Sequence, residues 1–398
     1  MSFSLLQKIR AKPVRTYYAF SFFREFMLFS GVLVPFFTDW GHISQGQIQL
    51  LQSWFMLWIF ILEVPTGAIA DYLGRKNSIL MGIIVDIIGV LVYVSAPQFG
   101  IFLLGEFLMA VAVALISGAD QALIYDTAKE AGLEAESKKI FGRAHSFKLA
   151  GMLIAAPIGS IAAQYLGMSA PMYLSSIPLF FAALCIWLMP EPKKTEQESE
   201  SRRYLEVVKK GALYFHRHPT LKFIAIDAMA IASIGYFIIW LYQPTALSVG
   251  IPLLYLGVIH SVFVLAEIFI SSNFSRLEKI FGSSFNYLRF SAIITGAMFL
   301  MVAIWPSKIS VIALVIVAGS LSLTRLEFIS SHMNKLIPST ERATVLSAIS
   351  MLRRIALVVL NPIIGFMADN SLALTLGVLG GLAILATFFS PLKREMLD

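Results

Sequence analysis

The sequence contains twelve long apolar segments separated by short breaks, and this feature decides what the chain can fold into. A membrane-spanning helix needs about 20 mainly apolar residues, which each segment provides or closely approaches. A transmembrane barrel instead uses strands of about 10 residues that alternate apolar and polar side chains, and these segments are continuously apolar. We therefore predict an all-α membrane protein with twelve transmembrane helices, at 16–38, 49–70, 78–95, 99–124, 145–165, 170–189, 221–247, 253–275, 288–304, 309–333, 343–368 and 372–390.

Composition supports a membrane protein and excludes several other classes. Hydrophobic residues make up 58% of the chain and charged residues only 14%, whereas soluble proteins average about 25% charged residues. The single cysteine, Cys185, excludes a disulfide framework and a cysteine-based zinc site. The six histidines show no metal-ligand spacing, so we expect no metal site. The net charge of +7 resides in the loops, which argues against nucleic-acid binding.

The loop charges predict the orientation of the helices. Of the 31 basic residues, 23 fall in the loops and termini on one side of the predicted membrane, seven lie within the apolar segments, and Lys308 alone is on the other side. Cytoplasmic loops carry the excess of Lys and Arg, so we expect both termini to be cytoplasmic. The basic start of the chain is followed by no small-residue cleavage site, so we expect no removable signal peptide.

A polar interval divides the predicted helices into two sets of six. The long polar run EPKKTEQESESRR lies in this interval, which predicts an N-terminal bundle at 1–190, a cytoplasmic linker at 191–220 and a C-terminal bundle at 221–398. A faint repeat links the starts of helices 5 and 11, GRAHSFKLAGMLIAAPIG and ERATVLSAISMLRRIALVVLNPIIG. Parallel repeats of this kind are typical of transporters.

The connection between helices 2 and 3 carries a family motif. It has a glycine, three residues, an acid, two residues, a glycine and two bases, namely Gly67, Asp71, Gly74, Arg75 and Lys76. This resembles the signature loop of the major facilitator superfamily, with Tyr72 in place of the first basic residue. The loop also lies where that family has it, after the second of twelve helices, and the resemblance covers the whole chain.

The resemblance implies two six-helix bundles and a cytoplasmic latch. An acid at a helix end can accept hydrogen bonds from the free N–H groups at the start of a neighbouring helix. In this family the neighbour of Asp71 would be helix 11, which starts near Ala343, and Arg75 would reach Asp126 at the end of helix 4. The alternative is that Arg75 and Lys76 only reflect the basic bias of cytoplasmic loops.

Other signatures of the family are weak. Gly105 and Glu106 stand where helix 4 often carries an arginine. The helix 5 signature of drug antiporters is present only as Gly151 and Ala156-Pro157-Ile158-Gly159. Small residues at 151, 155, 159 and 163 are explained more simply by close helix packing. An antiporter of drug:proton type is therefore one option within the family.

Charged residues inside the apolar segments are the candidate functional residues. Each costs about 2.5–3.5 kcal/mol at the bilayer centre, so most should form pairs or line a wet cavity. The candidates for proton coupling or substrate binding are Arg24, Glu25, Glu63, Glu106, Glu267, Arg325, Glu327 and Arg354. Lys148, Asp120 and Asp227 lie near cytoplasmic helix ends, where we expect them to reach the interface. Asp86 has no evident role.

Helical spacing suggests partners for these charges. Adjacent residues point about 100° apart on a helix, so Arg24 and Glu25 are not expected to pair with each other, and an Arg24–Glu63 pair is predicted. Arg325 and Arg354 are expected to pair with Glu267 and Glu327, or one arginine is left to bind an anion. A single polar face is predicted on helix 10, formed by Ser320, Thr324, Glu327, Ser331 and Asn334.

The resemblance implies a carrier that works by alternating access rather than an enzyme. No glycine-rich phosphate loop is evident, so the expected driver is the proton gradient, with no cofactor. Aromatic residues favour efflux of an amphipathic or drug-like compound, namely Phe20, Phe22, Phe23, Tyr236, Trp240 and Tyr242. The alternatives are proton-coupled uptake of an organic anion, a lipid or lysolipid flippase, and a non-transporting receptor with the same fold. The expected partners are a small-molecule substrate and the lipid bilayer, and we expect a monomer in a prokaryotic inner membrane.

Overall fold

The computed structural model describes residues 12–191, 218–338 and 342–397, and the regular structure in those ranges is helical. Before the polar interval lie α1 Lys12–Arg24, α2 Gln45–Leu73, α3 Arg75–Tyr93, α4 Phe99–Glu130, α5 Ser137–Leu166 and α6 Ala170–Leu188, which is interrupted at Ser175. After it lie α7 Pro219–Ser248, α8 Leu253–Ser272, α9 Ser284–Ile304, α10, α11 Arg342–Asn370 and α12 Leu372–Phe389. Helix α10 runs in pieces, Lys308–Ala313, Leu314–Gly319, Ser320–Leu323 and Arg325–Leu336.

These helices form the membrane-spanning fold that the apolar segments predict. Within the described ranges, ten helices are long and apolar enough to cross a membrane, and a bent pair, Lys12–Gly31 with Leu33–Trp40, makes eleven. The remaining predicted span corresponds to α2, which is 29 residues long. At about 1.5 Å per residue, a helix of that length exceeds the roughly 30 Å hydrocarbon core.

The chain divides into two units by its internal contacts. One contains Met1–His42 and Trp54–Tyr204, and the other contains Ile43–Ser53 and Leu205–Asp398. In the first unit α3 packs on α4, and α1 packs on α5 and α6. In the second unit α9 packs on α12, and α7 packs on α10. Most of the predicted linker, 192–217, lies outside the described residues, so its boundaries stay a prediction.

The first predicted span is not one continuous helix. Helix α1 ends at Arg24, a short helical turn follows at Leu28–Gly31, and the next segment, Leu33–Trp40, is inclined by 61° to Lys12–Gly31. The break leaves a backbone donor at Leu28, which donates to the Ser175 hydroxyl at 3.0 Å, where α6 is itself interrupted. A break within an apolar span is tolerated where the protein supplies the hydrogen bond that water would otherwise provide.

Small residues on α5 allow it to approach this break closely, as their spacing predicts. A Cβ atom added at Gly159 would lie 1.6 Å from the Leu28 carbonyl oxygen. A Cβ atom at Gly151 would lie 2.4 Å from the Phe22 carbonyl oxygen. Both glycines are buried, so the packing explanation of this part of α5 is confirmed.

Helix α10 departs from regular geometry, and this overturns the single polar face predicted for it. A wide π-helical stretch, Leu314–Gly319, is followed by a break at Thr324. Ser320 and Thr324 are buried and donate to backbone carbonyls of their own helix, whereas Glu327 and Ser331 are exposed. Spacing predicts a shared face only for an unbroken helix, and the two irregularities change the register between these residues.

The close approach at Gly159 makes it less tolerant of substitution than another glycine of the same helix. Gly159→Ala places its methyl group against backbone, so we expect destabilisation of about 1–3 kcal/mol from overpacking. Gly142 also lies in α5, and a Cβ there meets no atom within 4 Å. Gly142→Ala should leave stability unchanged or raise it slightly. Thermal unfolding in detergent measures both, and equal melting temperatures would contradict the packing.

Candidate functional site

A buried ion pair joins several helices of the second unit. The Arg325 side chain, only 2% exposed, donates through Nη2 to Asp227 Oδ2. Its Nη1 donates to the Leu288 carbonyl oxygen at 2.7 Å and to the Ser291 hydroxyl at 3.0 Å. Asp227 also accepts from the Ser390 hydroxyl at 2.8 Å, just beyond α12. This pair therefore holds α7, α9, α10 and the end of α12 together.

The pair corrects two predictions made from spacing. Asp227 is buried inside the second unit and paired with Arg325, so its side chain does not extend outwards as a residue reaching the interface would. The partner of Arg325 is Asp227, and neither Glu267 nor Glu327 forms this ion pair. The position of Asp227 in the sequence of α7 predicts that it lies near the cytoplasmic end. Whether its side chain points into the protein depends on how α7 packs against α10, and the sequence of α7 alone does not give that packing.

Two carboxylates of the second unit lie within electrostatic reach of each other. Glu267 is half-buried on α8, Glu327 is exposed on α10, and the two side chains repel. Neither belongs to the ion pairs formed by the described residues. On α11, Arg353 donates to the Ala232 carbonyl oxygen of α7 at 3.2 Å and is repelled by Arg354. A substrate role for Arg354 stays a prediction.

In the first unit, Arg24 forms an ion pair with its neighbour Glu25. The Arg24 Nη1 to Glu25 Oε1 distance is 3.2 Å. The expectation that these neighbours would not pair is wrong, because α1 ends at Arg24 and the 100° rotation between helical neighbours does not apply beyond it. The Arg24–Glu63 pair stays a prediction, and Glu63 is half-buried on α2.

Buried acids on α3 and α4 belong to the same charged region. Asp86 is 3% exposed and lies within electrostatic reach of Arg24 and Glu25, which accounts for an acid on this helix. Asp120 is also buried and lies 3.5 Å from the Lys148 amine. The side chain of Asp120 therefore does not extend outwards as predicted, since an ion pair with Lys148 of α5 satisfies it inside the protein.

Glu106, another predicted candidate, has a tyrosine as its partner. Its side chain is 5% exposed, and the carboxylate interacts with the hydroxyl of Tyr93 on α3. The tyrosine is 2% exposed. The arrangement accounts for a buried carboxylate on α4 through a neutral hydrogen-bond partner rather than a basic one.

The motif after α2 makes one of the two contacts that the predicted latch requires. Arg75 Nη1 donates to Asp126 Oδ2, the pairing that the family resemblance implies, and to the Ala122 carbonyl oxygen at 3.2 Å. Gly74 has a φ of +91°, a conformation that glycine adopts readily and other residues rarely adopt. A Cβ at Gly67 would meet no atom within 4 Å, so packing does not explain that glycine.

The other predicted contact of the latch, between Asp71 and the start of α11, lies outside the described residues. The side chains of Asp71 and Ala343 lie outside the described residues, as does the segment 339–341 before α11. Their contact stays a prediction. Lys76 contributes its backbone N–H, which donates to Glu191 Oε1 at 3.4 Å.

Glu191 is a residue that the sequence reasoning missed. Its carboxylate lies at the start of α3, where it accepts from Lys76 and complements the positive end of the helix dipole. It also occupies the space beside Gly74, where an added Cβ would be 2.6 Å from Oε1. Its position at the beginning of the polar interval did not indicate a helix cap, because an acidic residue there is typical of a solvated linker.

The aromatic residues predicted to contact a substrate differ in accessibility. Phe20, Trp240 and Tyr242 are buried within the protein. Phe22, Phe23 and Tyr236 are half-buried and remain candidates for substrate contact. In the described ranges, no group of three His, Cys, Asp or Glu side chains is arranged to hold a metal ion.

Comparisons with known proteins identify both a family and a fold. A family model described as the Major Facilitator Superfamily matches residues 17–361. A search of curated protein sequences finds no match.

Three solved transporters illustrate the structural similarity. The nucleoside transporter NupG superposes with a TM-score of 0.79 at 13% identity, covering 94% of this chain and 97% of that chain. A POT family transporter in complex with 5-aminolevulinic acid superposes with a TM-score of 0.75 at 14% identity, covering 97% of both chains. A bacterial homologue of the human lysosomal transporter Spinster superposes with a TM-score of 0.72 at 15% identity, covering 100% of this chain and 97% of that chain. At such identities the likeness concerns the fold alone.

The buried Arg325–Asp227 pair predicts a non-additive pattern of stability. Asp227→Leu or Arg325→Met alone leaves a buried charge without its partner and should destabilise the protein by about 3–5 kcal/mol. The double variant removes both charges and should be more stable than either single variant. Thermal unfolding in detergent tests this.

An exposed ion pair provides the control for that experiment. Lys139 and Glu136 lie 4.0 Å apart with side chains 62% and 54% exposed. Removing either charge should change stability by less than about 1 kcal/mol. Additive losses in the Asp227→Leu/Arg325→Met variant would contradict the pairing.

Proposed function

This chain belongs to the major facilitator superfamily, and we propose that it is a proton-coupled secondary active transporter that exports an amphipathic or drug-like compound. The family match and the twelve-helix membrane fold support a carrier of small molecules. Proton coupling, direction and substrate class are the proposed part. Alternating access, in which two bundles expose a midplane site to each side in turn, is the mechanism expected for such folds.

The observation that carries the proposal is the way charges are distributed in the second unit. Both terminal nitrogens of Arg325 donate to Asp227 and to two further acceptors, and only its buried Nε has no partner among the described residues. The carboxylates of Glu267 and Glu327, by contrast, lie close enough to repel each other. Repulsion between two carboxylates falls when one binds a proton or when a cation lies beside them. The same pair can therefore bind protons and a cationic substrate in alternation, which is what an antiporter requires.

The half-buried aromatic residues support an amphipathic substrate. Phe22 packs edge-on against Phe23 in the first unit, with ring centroids 5.4 Å apart. In the second unit Tyr236 lies 6.3 Å from Trp240. Aromatic faces attract cations and also bind apolar surface, so a lipophilic cation suits this environment better than a small polar anion.

Uptake of an organic anion has less support. It requires an arginine whose terminal nitrogens can donate to the anion, and both terminal nitrogens of Arg325 already donate to Asp227, Leu288 and Ser291. Arg354 would then have to bind the anion. Loss of anion binding in Arg354→Ala is the result that would favour this alternative.

A lipid or lysolipid flippase is the second candidate function, and one feature favours it. The second unit contains an apolar cavity of about 380 Å³ between α7, α11 and α12. Its lining includes Phe237 from α7, Leu360 from α11 and Leu382 from α12, and the two leucines are exposed. An apolar recess at a helix surface is the kind of opening through which an acyl chain would enter.

The proposal also covers the membrane, the orientation, the oligomeric state and the energy source of the carrier. We place the carrier in a prokaryotic cell membrane with both termini cytoplasmic, as the basic loops suggest. We take the monomer as the functional unit, the proton gradient as the driver, and no cofactor as required.

A thermal-shift panel on the detergent-purified protein tests the proposal. Lipophilic cations should raise the melting temperature, and more strongly at higher pH, because fewer protons then compete for Glu267 and Glu327. The Glu267→Gln/Glu327→Gln variant should lose this stabilisation. Glu136→Gln removes an exposed carboxylate elsewhere and should retain it.

Other outcomes of the panel would contradict drug export. Stabilisation by organic anions alone, lost in Arg354→Ala, would replace it with anion uptake. Stabilisation by lysolipids alone would replace it with the flippase function.

A further inference from the structure

The apolar cavity of the second unit is a long recess that opens at the surface of three helices. It has a volume of about 380 Å³ and lies between α7, α11 and α12. Its lining on α11 recurs every four residues, at Leu352, Ala356, Leu360 and Ile364, so the cavity follows the helix axis. Leu352, Leu360 and Leu382 are exposed, which shows that one side of the recess is open.

Small side chains create the recess, and its lining is apolar. Ala230 of α7, Ala356 of α11 and Ala386 of α12 each leave room that a larger side chain would fill. Among the lining side chains only Ser233 is polar, and it is buried. An ordered water needs roughly two to four polar partners, so water is a poor occupant. Apolar walls that contact nothing lose dispersion energy, so an apolar chain is the occupant that fits best.

The length of the recess corresponds to one leaflet of a bilayer. The first and last lining residues on α7 are Ile226 and Phe237, and they are about 16 Å apart at 1.5 Å per residue. On α11 the lining runs from Leu352 to Ile364, which is about 18 Å. One leaflet contributes about half of a hydrocarbon core that is roughly 30 Å thick. The recess therefore suits a single acyl chain that enters from one side of the membrane.

Positive charge lies at one end of this recess. Lys222 is exposed and precedes Ile226 by one turn, so the two side chains share a face of α7. Lys222 forms no ion pair with the described residues. The end of α12 reaches the same level, because the Ser390 hydroxyl donates to Asp227 Oδ1 at 2.8 Å, and the exposed Lys393 follows three residues later. Lysines at a membrane surface attract anionic lipid headgroups.

We infer that this recess binds one anionic phospholipid, with an acyl chain between α7, α11 and α12 and the phosphate beside Lys222. The lipid belongs to the leaflet at the start of α7, which the loop charges predict to be the cytoplasmic one. It bridges the three helices and stabilises the second unit. The lipid stays in its leaflet, so the site differs from the entrance of a flippase. The inference is independent of the exported compound and of proton coupling.

Lipid retention tests the acyl-chain part of the site. Detergent-purified protein is mixed with equal amounts of phosphatidylglycerol and phosphatidylethanolamine, and bound lipid is counted by native mass spectrometry. The unaltered protein should retain a single phosphatidylglycerol. Ala356→Trp fills the recess from an exposed position and should lower retention about ten-fold, because it displaces several methylene groups. Ala373→Trp alters an exposed position of α12 outside the lining and should retain the lipid.

The same measurement tests the headgroup part. Lys222→Gln removes the charge beside the phosphate and should lower the preference for phosphatidylglycerol over phosphatidylethanolamine about five-fold. Lys279→Gln is the matched control, because Lys279 is an exposed lysine in the connection between α8 and α9. It should leave the preference unchanged. A preference that Lys222→Gln does not alter overturns the proposal.

Equal retention in Ala356→Trp and Ala373→Trp also overturns it, because the lipid is then bound elsewhere on the surface. If Ala356→Trp does not fold, Leu352→Trp fills the same recess, with Leu374→Trp as the control at an exposed position outside the lining.

A headgroup-labelled phosphatidylglycerol distinguishes a resident lipid from a transported one. In proteoliposomes the label should stay in its leaflet, and crossing faster than in protein-free vesicles would overturn the resident role. These readouts use no drug-like compound, so their failure and the failure of the proposed function are separate results.

Discussion

A charge inside the membrane must find its counter-charge within the protein, and this constraint organises both units. The hydrocarbon core offers no water and little dielectric screening, so an unpaired charge is costly there. Arg325 meets the constraint by donating to Asp227 and to two oxygens of α9, and Asp227 in turn accepts from Ser390. The need to neutralise one guanidinium thus determines how α7, α9, α10 and the end of α12 are arranged.

The same constraint separates structural charges from functional ones. Arg24 with Glu25, Lys148 with Asp120, and Arg325 with Asp227 are neutralised inside their own units. Glu267 and Glu327 instead repel each other. Such a pair is stabilised only by a proton or another cation, so its state can respond to what the carrier binds. Our proposal of proton-coupled export rests on this difference.

The helices could be predicted from the sequence, whereas much of the side-chain pairing could not. Apolar length and loop charge depend on one segment at a time, so the twelve segments and the signature loop predicted the fold and the Arg75–Asp126 contact. Pairing depends on where helices break and how they pack. Because α1 ends at Arg24, this arginine pairs with Glu25, which the spacing of a continuous helix did not predict. The irregular turns of α10 moved Ser320 and Glu327 into different environments. Glu191 was missed because helix-capping across a long sequence separation leaves no local pattern.

The central claim is that protons move in exchange for a lipophilic cation through a carrier whose free carboxylates are Glu267 and Glu327. Proteoliposomes preloaded with such a cation, held at zero membrane potential and containing a pH-sensitive dye, test it most directly. The account predicts that efflux of the cation through the protein acidifies the lumen, and that Glu267→Gln/Glu327→Gln abolishes this acidification. Efflux that exceeds the protein-free control but leaves the luminal pH unchanged would contradict it.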